Sequence, residues 1–263
     1  MEGTCGITHW DETNYDRGGR WYDYFRDRMT KEAAAACQGA MDAGAAEIRV
    51  KDAHDSARNI IPSGLPPRVS MHRGWSGDYL FMVTGLAEGF DALAFTGYHA
   101  PACDGGNPLS HTIVSATDEI VINGERASEF LIHTYAAALY KIPVIFVSGD
   151  EALCRIAREK VPGITAVPVN SGQGAGVVSL HPAEAERRIK EGMKKAVRDF
   201  LASREDSGVL TLPPAFETTV RYKEHPRAYR AGQYPGAEMA DGKTVRFNAK
   251  DYREVLRFLL FVT

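Results

Sequence analysis

Two histidines, His54 and His99, each stand just past an apolar stretch of chain, in Lys51-Asp52-Ala53-His54 and Gly97-Tyr98-His99. In open α/β sheets, ligands and catalytic groups gather at the carboxyl ends of strands. A neutral imidazole is a good donor to zinc, so two of them at one sheet edge are candidate metal ligands. Glu2 would stand at the same edge if an apolar strand preceded it. Glu129, opening a helical segment after a hairpin, could add a second carboxylate, and His111 follows His99 by a dozen residues. A lone loop histidine is more often structural or solvent-facing; His54 and His99 together, each just past an apolar strand, bring the metal reading level with that one. His9, His72, His133, His181 and His225 keep the structural reading.

The elements that must hold these residues alternate in type. A helix is expected from an N-cap at Thr30 to Gly44, then a strand over residues 46–52 and a largely apolar strand over 91–97. Residues 118–127 read as a tight hairpin, because Asn123-Gly124 favours a type I′ turn. Further on come a helix over 129–140, a buried strand over 143–148, a helix over 151–160, a strand over 164–169 and a Gly-rich loop over 170–176. Pro182 opens a charged helix to about Arg204. Strands over 216–222 and 244–247 and a last helix from Asp251 complete the chain. This alternation predicts an α/β fold, with a mostly parallel, Rossmann-like sheet flanked by helices. Residues 1–180 form the expected catalytic domain and residues 181–263 a smaller α/β part.

Composition narrows the function classes. The 263 residues are 44% hydrophobic and 25% charged, enough for a sizeable core. A net charge of −3 gives no general attraction to nucleic acid or an anionic membrane. No apolar run reaches the roughly 18 residues of a membrane span, and the first residues lack the basic and apolar regions of a secretory signal. Four cysteines without a Cys-x-x-Cys pair fit free thiols in a reducing cytoplasm. The Gly-rich stretch at 172–176 is not followed by Lys-Ser or Lys-Thr, which excludes a Walker loop.

Five short motifs occur together in order: Met1-Glu2-Gly3, Lys51-Asp52-Ala53-His54, Gly97-Tyr98-His99-Ala100, Ser110-His111 and Gly124-Glu125-Arg126-Ala127-Ser128-Glu129. In this register the chain resembles the M55 metallopeptidases, the D-aminopeptidases linked to dipeptide-transport operons. The resemblance is clear over residues 1–160 and weaker beyond. It implies a hydrolase that releases N-terminal, D-configured residues from short peptides. It implies two zinc ions per subunit of the full-length protein, sharing a hydroxide as nucleophile. Glu2 and His54 would serve one zinc, His99 and Glu129 the other, and His111 the catalysis. The family's bridging aspartate would lie immediately before Met1, at the end of an apolar strand. Lys51 and Ala53 replace the family's usual Asn and Ser, and residues 170–176 lack the Lys and Arg that relatives carry there. The resemblance also implies a ring-like homo-oligomer. The contrasting expectation is a non-catalytic peptide-binding or structural member of a transport operon.

Overall fold

In the computed structural model, residues 1–17, 19–203 and 209–263 are described. After two short 3₁₀ turns, helix α1 spans Tyr22–Asp42 and buries Ala33, Ala36 and Ala40 along one side. It begins eight residues ahead of the expected cap. Thr30 lies inside it and donates its hydroxyl to the carbonyl of Arg26 at 2.7 Å, so the side chain satisfies itself without ending the helix. Strand β1 (Ile48–Lys51) pairs in parallel with β2 (Val69–His72), and the two form a sheet of their own.

Strand β3 (Leu93–Tyr98) leads into the hairpin of β4 (Thr117–Ile122) and β5 (Glu125–Arg126). The hairpin turns through Asn123 (φ 51°) and Gly124 (φ 78°), the pair of positive φ angles a type I′ turn demands. Helix α2 (Glu129–Ala138) follows, then strand β6 (Val144–Asp150), helix α3 (Glu151–Lys160), strand β7 (Thr165–Gln173) and strand β8 (Gly176–Ser179). The Gly-rich stretch expected as a loop is thus a hairpin. β7 runs on through Asn170, Ser171 and Gly172, which pair antiparallel with Ser179, Val178 and Val177 of β8.

Helix α4 (Pro182–Ala202) follows; Arg204, its expected end, lies outside the described residues. Strand β9 (Phe216–Tyr222), helix α5 (His225–Ala231), strands β10 (Ala237–Met239) and β11 (Thr244–Ala249), and helix α6 (Tyr252–Val262) complete the fold. Asp251 caps α6 by accepting the Arg253 amide. Helix α5 and β10 were not expected; at seven and three residues they are too short to carry a periodicity.

The chain is α/β, with mixed rather than uniformly parallel sheets. In the four-stranded sheet β3-β6-β7-β8, the first three strands are parallel and β8 is antiparallel. The larger sheet, β10-β11-β9-β4-β5, is antiparallel. The apolar faces meet in two layers. Phe130, Leu131 and Ile132 of α2 pack with Val255, Leu256 and Leu259 of α6 and with Ile120 and Val220 of the antiparallel sheet. On the other side Ala36 and Ala40 of α1 and Ile189, Met193 and Val197 of α4 cover Phe146, Val167 and Val169. The parallel strands are therefore covered on both faces, as their nearly continuous apolar composition requires.

Candidate metal centre

Four places in the chain deliver donors to the carboxyl edge of the parallel strands. Glu2 lies in a turn whose Gly3 amide donates to the carbonyl of Gly97 at 3.1 Å, which lays the first residues along the end of β3. His99 is the residue after β3. His54 lies three residues past β1, in a loop organised by the fully buried Asp52. One Asp52 oxygen accepts the amides of Asn59 (2.5 Å) and Ile60 (2.7 Å), and the other accepts the Asn59 carboxamide (3.2 Å). Glu129 is the first residue of α2, directly after Ser128, which caps the helix by accepting the Leu131 amide.

The structure brings together all five residues singled out from the sequence. The His54 Nδ1 lies 3.3 Å from Glu2 Oε2, and His99 Nε2 lies 4.0 Å from the same oxygen. His99 Nε2 is also 3.5 Å from Glu129 Oε2, and His111 Nε2 is 3.7 Å from Glu129 Oε1. The rings of His99 and His111 stack at 4.4 Å. Glu2, His99 and Glu129 are buried.

Each imidazole has its second nitrogen occupied by a backbone carbonyl. His54 Nε2 faces Thr13 O at 2.6 Å, His99 Nδ1 faces Ala100 O at 2.9 Å and His111 Nδ1 faces Leu109 O at 2.9 Å. A carbonyl only accepts, so the proton sits on the nitrogen facing it. The remaining nitrogen of each ring then turns toward Glu2 and Glu129. This is the orientation that outer contacts impose on metal-binding histidines.

The donor set fits a divalent cation. Two buried carboxylates and three imidazole nitrogens converge, and His99 Nε2 is buried without a hydrogen-bond partner. Ligand atoms of His99, His111 and Glu129 all lie within 4.8 Å of one another. Nitrogen and carboxylate donors with no thiolate suit zinc among the common metals. Without a cation the charges compensate through protons. Burial pushes His99 down, but Glu129 and Glu2 outweigh it and raise its pKa to about 9. Burial pushes Glu129 up, but His99 and His111 bring it down to about 2. Burial, followed by the neighbouring His99, lowers the pKa of His111.

A cavity of about 1140 Å³ opens onto these residues. Its lining includes Ile48 and Val50 of β1, Ala94 and Phe95 of β3, and all five residues of the centre. Trp10 stands edge-on to His111, with ring centroids 5.1 Å apart. Nothing in the spacing of Trp10 pointed to this contact. The sequence reading passed over Asn107, Asp150 and Asn170, buried side chains that hold the backbone around the ligands. Asp150 was open to discovery, since it too ends an apolar strand at the carboxyl edge; nothing in the spacing marks Asn107.

The sequence profile of the M55 peptidase family, described as D-aminopeptidase, matches residues 1–261. A D-aminopeptidase of Bacillus subtilis (strain 168) is 32% identical over 267 residues, covering 100% of this chain and 94% of the relative. A solved structure, the Zn-dependent D-aminopeptidase DppA from Bacillus subtilis, described as a self-compartmentalizing protease, superposes with a TM-score of 0.89. It is 30% identical, with 99% of this chain and 93% of that one covered.

Proposed function

The chain belongs to the M55 D-aminopeptidase family, and from that premise we propose that it is a zinc aminopeptidase that removes N-terminal, D-configured residues from short peptides. Glu2, His54, His99 and Glu129 are the proposed ligands of two zinc ions per subunit, and His111 the proposed catalytic residue. The observation that carries this reading is the convergence of two carboxylates and three oriented imidazoles around the unpartnered His99 Nε2.

Zinc held by Glu2, His54, His99 and Glu129 would supply Lewis acidity and lower the pKa of a bound water. The remaining work falls to the chain. Glu2 and Glu129 supply two of the negative charges that would hold divalent ions here. The carbonyls of Thr13 and Ala100 fix which nitrogen of His54 and His99 faces inward. His111 has its Nδ1 proton committed to Leu109 O, and burial favours its neutral form. Its Nε2 can therefore take a proton at neutral pH and return it to the departing amine. The cavity reaches these residues, which leaves them open to a substrate. The D-preference and the self-association rest on what the relatives are named as doing. A ring-like homo-oligomer in the cytoplasm completes the proposal.

The test is hydrolysis of D-Ala and L-Ala dipeptides before and after chelation, with zinc restored. Zinc-dependent release of D-Ala from the D-peptide in preference to the L-peptide is expected. Absence of zinc-dependent hydrolysis of either peptide overturns the proposal.

A further inference from the structure

The loops bearing Glu2 and His99 meet at one buried carboxylate. Asp150, the last residue of β6, is fully buried. Its Oδ1 caps α3 by accepting the Leu153 amide at 2.7 Å. Its Oδ2 accepts two hydrogen bonds that have no part in the cap. One comes from the Ala100 amide at 2.7 Å, the residue after His99. The other comes from the Asn107 carboxamide at 3.1 Å. The Asn107 Nδ2 also donates to the carbonyl of Glu2 at 3.1 Å, and Asn107 is itself buried. A single oxygen thus ties the His99 loop directly, and the Glu2 turn through one intermediary, to the end of the central strand.

We propose that Asp150, acting through Asn107, is a positioning residue that sets the separation of Glu2 from His99 and so the affinity of the metal centre. The inference rests on the proposed zinc reading. Glu2 and His99 come from segments nearly a hundred residues apart; the backbone joins them through the Gly3 amide on Gly97 O, and His99 lies one residue past the ladder of β3. Side chains supply the remaining ties. Asn107 holds the Glu2 carbonyl, Asn170 holds that of Thr4 at 3.1 Å, and Glu32 accepts the Cys5 amide at 2.9 Å. Of these, Asp150 with Asn107 alone reaches both ligand loops through described hydrogen bonds.

Asp150→Asn isolates the bridge from the cap. Asparagine caps a helix as well as aspartate does, so Oδ1 keeps the Leu153 amide. The new NH₂ in place of Oδ2 cannot accept from Ala100 or Asn107. The measurement is zinc affinity by competition with a chromophoric chelator, beside thermal unfolding of the metal-free protein. D150N is expected to bind zinc roughly 10–100-fold more weakly, as losses of outer contacts do. Asn107→Ala, which cuts only the arm to Glu2, is expected to weaken zinc in the same range. The double variant should be no weaker than the weaker single one, because the two residues act as a unit. If D150N does not fold, N107A carries the test alone. Parental zinc affinity in a folded D150N or N107A overturns the inference and leaves the zinc reading intact. Absence of zinc binding by the parent itself overturns both.

Discussion

At the scale of single residues, the centre is a charge problem with two solutions, protons or a cation. In the metal-free protein His99 is raised from 6.5 to about 9 and Glu129 lowered from 4.5 to about 2. A base raised on folding gives its full stabilisation below its ordinary value and loses it as pH climbs to the folded one. A carboxyl lowered on folding gives its full stabilisation above its ordinary value and loses it as pH falls. Stability of the chelated protein is therefore expected to drop from pH 6.5 toward 9 and again from pH 4.5 toward 2, read as the midpoint of urea unfolding. His99→Gln should flatten the alkaline limb; an unchanged limb in H99Q contradicts the assignment. His111 divides binding from chemistry. H111A is expected to retain zinc and lose most hydrolysis, and unchanged turnover would remove it from the mechanism. His54 and His99 were legible in sequence because each follows a strand, and Glu129 because it opens a helix; Glu2 and His111 took their roles from the family resemblance. Asp150 shared the strand-end signal, since it ends an apolar strand, but Asn107 did not: what it holds is backbone from a distant segment, and a local pattern carries no trace of that.

At the scale of elements, the site depends on how closely backbones approach. A Cβ on Gly3 would stand 1.7 Å from the Tyr98 carbonyl oxygen, and one on Gly149 would stand 1.9 Å from the same atom. The turn carrying Glu2 and the strand β6 thus press on the end of β3 from two directions. Gly149→Ala falls within a strand of the parallel sheet and should lower the unfolding free energy by about 3 kcal/mol, the upper end of ordinary overpacking. Gly3→Ala falls at a turn and should displace Glu2 instead, lowering zinc affinity with a smaller loss of stability. Equal stability losses in the two variants would contradict this division. The long elements were legible, from the Asn-Gly hairpin to the helix over 151–160, whose bounds match those of α3. The extension of β7 through Asn170 was hidden, because glycines that read as a loop here permit a hairpin. The early start of α1 was hidden by Thr30, a good cap residue that bonds to its own helix.

At the scale of the whole molecule, the five residues of the centre span positions 2 to 129, and the strands and helices around them pack into both core layers. The exposed aromatic rings Trp21 (54% exposed) and Tyr24 (46% exposed) stand together at the start of α1, with centroids 6.0 Å apart. Such apolar exposure suits burial against another subunit. Light scattering after size exclusion should give a mass several times 28.8 kDa; a monomer at micromolar concentration contradicts self-association. The central claim is that one edge of the sheet grips zinc, and diffraction from zinc-loaded crystals at the zinc absorption edge tests it most directly. Anomalous density within about 2.0–2.2 Å of His99 Nε2 and a Glu129 oxygen is the expected result. Zinc bound only elsewhere on the molecule, with these side chains left unliganded, would contradict the account.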